Sequence, residues 1–236
     1  MGVTSGVHER ARLLAATVLL LGYSTAVACS ADSVVPTAPS PGLDSARPVR
    51  VTPAPTASSR TTPGIELTVV PKPDGSFDVI EKLTLPTATD MLPLQLPASG
   101  AELPGMMSPT TPQVTNLQVF ADDQSVPLEN TTLPGADYVP LTIAAARIRL
   151  TYRLSGSAVL ATPSRTGRAS AAIRPLTAST AAGLPTDLTV TSGLLNAVCP
   201  LLPEPRCAVG DPPHLAVKLG IPAGKALVVL QLDLPR

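Results

Sequence analysis

Tryptophan is absent from this 236-residue chain, and three Tyr and two Phe are its only aromatic side chains. That poverty argues against a carbohydrate-binding module, which stacks sugars on exposed rings, and leaves the core to Leu, Val, Ile and Ala. Charge is sparse and balanced, with 17 Lys plus Arg against 17 Asp plus Glu. A chain without a basic excess lacks the electrostatic footprint of a nucleic-acid binder. Histidine occurs twice, at His8 and His214. No H-E-x-x-H, G-x-S-x-G, S-x-x-K or phosphate-loop pattern is present. A triad of Ser192, His214 and Asp187 or Asp211 can be written down, but no nucleophile motif supports it, so a hydrolase is a remote reading. No cofactor or metal motif is present. Long apolar runs are also missing. Leu13 to Leu21 is short of the roughly 20 residues a membrane-spanning helix needs.

That short run has a specific context. Arg10 and Arg12 precede it, and small and polar residues follow, ending Ala26-Val27-Ala28-Cys29. Positive n-region, apolar h-region and small-residue cleavage site are the parts of a secretory signal peptide. The terminal four residues resemble the bacterial lipobox, with Ala26 where that pattern usually has Leu. The resemblance implies a bacterial exported lipoprotein. Cys29 would become the mature N-terminus and carry a lipid on the extracytoplasmic face of the cell membrane. Ala26-x-Ala28 also fits ordinary signal peptidase, which would leave a secreted protein. The usage of Arg over Lys and the abundance of Ala look like an actinobacterium.

The remaining cysteines, Cys199 and Cys207, share one short segment, CPLLPEPRC. An exported protein meets an oxidising compartment, and their pairing would close a nine-residue loop. The chain-entropy model credits such a closure with about 2.6 kcal/mol. Zinc is the weaker alternative, since two cysteines and one nearby histidine do not supply four ligands. Pairing leaves Cys29 as the odd thiol, in keeping with lipidation.

Residues 30 to 63 hold seven prolines among many Ser, Thr and Ala, with no apolar period. Such a segment cannot bury enough surface to offset ordering entropy, so a disordered tether is expected. The organisation expected is signal peptide 1–28, lipidated Cys and tether 29–63, and one domain over 64–236.

The domain reads as strands. Ile65-Glu-Leu67-Thr-Val69 and Phe77 to Leu85 alternate apolar and polar residues around the turn signal Pro73-Asp74-Gly75. The segment from Asp74 to Glu81 resembles the opening of some extracytoplasmic β-domains of unknown function. Glu81 falls on the apolar face, which points to a strand end or a paired carboxylate, with a catalytic acid as the remote alternative. Val114 to Phe120 and Ser125 to Leu128 suggest a hairpin around Asp122-Asp123-Gln124. Strands are also expected at 187–191, 215–219 and 226–234. Pro175 argues against a helix in the Ala-rich stretch 169–182. The sum is a mainly β, sandwich-like domain.

Two surfaces stand out. In Arg147 to Leu154, Arg147, Arg149 and Arg153 share the face opposite the apolar residues, a ladder suited to phosphates or carboxylates, or to cross-strand pairing with acids such as Glu66, Asp78 or Asp137, or simply a solvated face. The second reading gains weight from charge distribution: residues 64–146 carry a net −8 and residues 147–236 a net +6. Residues 86 to 112 alternate six prolines with Leu and Met. Leu92, Leu94, Leu96, Leu103, Met106 and Met107 would form an apolar partner surface, or the segment would be a meander packed on the sandwich. The function these features suggest is a non-catalytic interaction or scaffold module in the cell envelope, its partners the membrane and an envelope protein or lipid. A carrier of a hydrophobic ligand is the alternative, and it requires an apolar cavity between sheets.

Overall fold

A computed structural model describes residues 62–161 and 167–236; the export sequence, Cys29 and the tether to residue 61 lie outside them. The described residues belong to the unit Ala54–Arg236. They form a mainly β domain of two sheets. The larger sheet runs edge to edge through β12 (Ile221–Pro222), β8 (Pro185–Val190), β1 (Gly64–Pro71), β2 (Phe77–Leu94), β5 (Asp137–Ser155), β3 (Gln113–Ala121) and β4 (Gln124–Val126). The smaller runs β6 (Ala158–Leu160), β7 (Arg168–Ile173), β13 (Val228–Asp233) and β9 (Leu194–Val198). A ribbon of β10 (Ala208–Val209) and β11 (Ala216–Val217) completes the strands. Pairing is antiparallel except between β1 and β8.

Local chemistry sets the hairpins. Between β1 and β2, Gly75 takes φ 79°, and the Ser76 N–H and hydroxyl donate to Asp74 Oδ1 at 3.0 and 2.6 Å. Between β3 and β4, Asp122 and Asp123 have φ 44° and 67°. Two consecutive positive φ values match the strand twist in a two-residue hairpin loop, a conformation Asp tolerates.

The central pair β2 and β5 is longer than the alternation suggests. Leu83 and Leu85 point inward from odd positions of β2, and Leu92 and Leu94 from even ones. Register shifts between Thr84, Thr89 and Met91 flip the parity. β5 compensates: Val139, Leu141 and Ala145 are buried on one parity, Ile148 to Leu154 on the other. Residues 86–112 are therefore not one loop, since 86–94 continue β2. β1 accompanies β2 only to Thr84, so the far part is a two-stranded ribbon with free edges, where Pro93 and Pro140 are tolerated. The expected strand over 215–219 shrinks to Ala216–Val217.

One core joins both sheets. Ile65, Leu67, Val79, Leu83, Ile148 and Leu150 from the larger sheet meet Ala171, Ile173, Val228, Leu230 and Leu232 from the smaller. β13 lies between β7 and β9 and is buried on both faces, as its continuous apolar run anticipates. Its second face needs a cover, and the loop of 95–112 supplies it. Leu103 and Met106 pack on Ala172, Leu227 and Val229, and a Cβ on Gly105 would stand 3.5 Å from Val229. The apolar partner surface is thus absorbed by the fold. Leu92 and Leu94 are buried, Leu96 packs against the main core, and Met107 alone of the six is exposed.

Cys199 and Cys207 form the expected disulfide, with Cα atoms 5.8 Å apart. Backbone bonds already shape this loop: the Cys199 N–H donates to the Pro205 carbonyl at 2.7 Å and the Cys207 N–H to that of Ala197 at 3.2 Å.

Candidate functional site

Glu81 is the one fully buried carboxylate among the described residues. Period two places it on the inner face of β2, opposite Leu67 of β1 and Leu150 of β5. It is a paired carboxylate. The Leu176 and Thr177 N–H groups donate to it at 2.8 and 3.0 Å, the Tyr152 hydroxyl at 3.3 Å, and the Thr177 hydroxyl at short range. Burial pushes its carboxyl above the ordinary range, against the donors, which favour the ionised form. Burial and the neighbouring carboxylate push Tyr152 well up. Desolvation lowers Arg174, partly offset by the Glu81 charge, and Arg174 Nε is buried without a hydrogen-bond partner. All four donors to Glu81 are protein groups, and two are backbone amides of the β7–β8 connection. The carboxylate therefore pins that connection to the central strand.

The outer face of the larger sheet is different. Arg147, Arg149 and Arg153 do share it, but each meets a different partner. Arg147 Nε lies 3.3 Å from Asp122 Oδ1. Arg153 donates to Ser76 Oγ at 3.0 Å and lies 3.4 Å from Asp74 Oδ2. Arg149 instead sits over the Phe120 ring, 4.1 Å from its centroid. The two carboxylates come from the acidic half and the arginines from the basic half, so the charge asymmetry of the sequence is partly internal pairing. Asp74 is held below the usual carboxylate range, first by the Ser76 hydroxyl and then by the Ser76 N–H.

Around Arg149 the sheet forms a cleft of about 310 Å³, lined by Glu66, Lys82, Thr84, Phe120, Asp123 and Arg147 among others. Sheet register builds it: Glu66, Lys82, Arg149 and Phe120 are successive partners across β1, β2, β5 and β3. Lys82 and Phe120 are the members that reading one strand at a time misses. The parity of Asp78, Ile80 and Lys82 was a usable signal for the facing direction, but which residue of β5 stands opposite Lys82 depends on register. Arg153 does not line this cleft. It is fastened to the β1–β2 turn.

Other candidates do not converge. Ser192 and His214 are exposed, and Asp187 Oδ1 accepts the Gly220 N–H at 2.8 Å. Among the described residues no group of three or more His, Cys, Asp or Glu is placed to hold a metal ion, and no helix is long and apolar enough to cross a membrane. A second cleft, of about 630 Å³, lies on the outer side of β9, between Leu195, Val198 and the cysteine loop. Neither cleft lies between the two sheets, where a carried apolar ligand would sit.

No family model matches this chain, and no curated protein matches it. Among solved structures it is similar to part of an aminopeptidase N family protein from Idiomarina loihiensis, at 14% identity and a TM-score of 0.43, over 72% of this chain and 29% of that one. It is also similar to part of a two-domain M1 zinc metallopeptidase bound to L-arginine, at 17% identity and a TM-score of 0.30, over 72% of this chain and 41% of that one. At these scores neither likeness bears on the chemistry of this chain.

Proposed function

We propose that this chain is an exported envelope protein, anchored through Cys29, whose β domain is a non-catalytic interaction module working through the outer face of its larger sheet. One asymmetry carries the reading. The middle of the smaller sheet's outer face is covered by the chain's own Leu103 and Met106, while a cleft stays open beside β9. Among the described residues, the outer face of the larger sheet keeps Ile80 40% exposed and Lys82 exposed, with the charged cleft beside them. The larger sheet's outer face, which residues 95–112 do not cover, presents a surface for something else. The segment expected as a tether enters the domain at Gly64, at the rim of that cleft. The expected export sequence and lipobox supply the address.

Cell fractionation tests the anchor. The wild-type chain should sediment with membranes, and Cys29→Ala should appear in the medium. Membrane retention of the variant would overturn the lipid anchor.

A further inference from the structure

Resting on the interaction-module reading and extending it, we propose that the cleft around Lys82 and Arg149 binds a phosphate group, either a lipid headgroup or a free phosphate. The argument starts from register. Lys82 and Arg149 are direct cross-strand partners, and like charges directly opposite on antiparallel strands are destabilising. Their neighbours on the same face are neutralised: Arg147 by Asp122, Arg153 by Asp74, and Lys72 by Asp78 at 2.5 Å. Glu66 stands opposite Lys82 on the other side, on β1, but among the described residues no ion pair of this kind joins Lys82 or Arg149 to a carboxylate. Arg149 is held on Phe120 instead, a contact that fixes the guanidinium plane while consuming none of its N–H donors. Arg147, already engaged by Asp122, lines the same cleft.

An anion placed between Lys82 and Arg149 would relieve their repulsion and accept charge-assisted bonds from both. A planar guanidinium beside a point-charge ammonium suits phosphate oxygens. Glu66 and Asp123 line the cleft as well. Their charge opposes every anion and a long polyanion most, so the ligand proposed is a single phosphate held between Lys82 and Arg149 and not nucleic acid.

The test uses the full chain in detergent micelles, titrated with inorganic phosphate against chloride at matched ionic strength, with heat of binding and melting temperature read. Phosphate should bind saturably and raise the melting temperature where chloride does not. Lys82→Ala and Arg149→Ala should each weaken binding about tenfold, the loss of one charge-assisted bond. Arg153→Ala should bind as wild type, because Arg153 lies outside the cleft. Lys82→Gln, which keeps the side-chain stem, repeats the measurement should Lys82→Ala not fold. Vesicles of phosphatidylglycerol that compete with phosphate, where phosphatidylcholine vesicles do not, identify a lipid headgroup as the source. Competition by neither identifies a soluble phosphate, and both results support the site. Equal effects of phosphate and chloride, or equal loss in Arg153→Ala and Arg149→Ala, would overturn it. The interaction-module reading fails separately, when a probe at Ile80 captures no envelope partner.

Discussion

Replacing Glu81 with leucine should be among the most damaging single changes in the domain. Leucine fits the apolar neighbours, Leu67 and Leu150, so packing alone would favour it. The hydrogen bonds decide otherwise. The substitution strands the Leu176 and Thr177 amides, which donate to the carboxylate at 2.8 and 3.0 Å, and frees two buried hydroxyls. An orphaned buried donor costs about 1–3 kcal/mol. The two amides alone give about 2–6 kcal/mol, and rotation of the hydroxyls recovers part of the rest. Glu81→Leu should therefore lose about 3–5 kcal/mol in urea unfolding. Glu81→Gln keeps one acceptor oxygen and should lose about 1–3 kcal/mol. The pH dependence has a definite sign. The folded carboxyl titrates above its unfolded value, so its contribution is full below the unfolded pKa and is lost as pH rises through the folded one. Glu81→Gln should remove that decline, leaving a flatter stability profile on the alkaline side of the unfolded value. A Glu81→Leu protein as stable as wild type would show that the amides find other partners and that the carboxylate pins nothing.

The covering role of residues 95–112 makes a matched pair. Met106→Ala, buried on Val229 and Ala172, should lose about 2 kcal/mol or more, whereas Met107→Ala, 78% exposed, should stay within about 0.5 kcal/mol; both are read by thermal melting. Replacing both Cys199 and Cys207 with serine should lose about 2–3 kcal/mol in non-reducing denaturant melts, and wild type with reductant should approach the variant. Gly156→Ala should be destabilising by about 1–3 kcal/mol, because Gly156 has φ 65° and a Cβ there would meet the Thr111 carbonyl oxygen at 2.2 Å; an unchanged melting temperature would contradict that geometry.

Much of the fold was legible where period two is unbroken. Ile65 to Val69, Phe77 to Leu85 and Arg147 to Leu154 each lie in strands with the expected faces inward. Turn chemistry at Pro73-Asp74-Gly75 was equally readable, because it depends on residues adjacent in sequence, and the Asp122-Asp123-Gln124 turn was placed one residue too long, since Gln124 opens β4. The distal halves of β2 and β5 were not. Their parity flips at register shifts, and prolines that speak against a strand are harmless on a two-stranded ribbon. The role of Leu103 and Met106 was hidden for another reason. Whether an apolar loop faces a partner or its own sheet depends on the neighbouring layer. Glu81 was legible only as a strand end or a paired carboxylate, because the partners that decide between them lie 71 to 96 residues away. The arginine ladder was placed on the correct face, yet the cleft forms only where register brings Lys82, Arg149 and Phe120 together.

The most direct test of the account is photo-crosslinking in intact cells, with a photoreactive residue replacing Ile80 in one variant and Met107 in another. Both positions are exposed, the first on the open face of the larger sheet and the second on the roof of the smaller. An interaction module working through the larger sheet predicts a discrete envelope adduct from position 80 and none from position 107. No adduct at 80, or adducts at 107 alone, would contradict it.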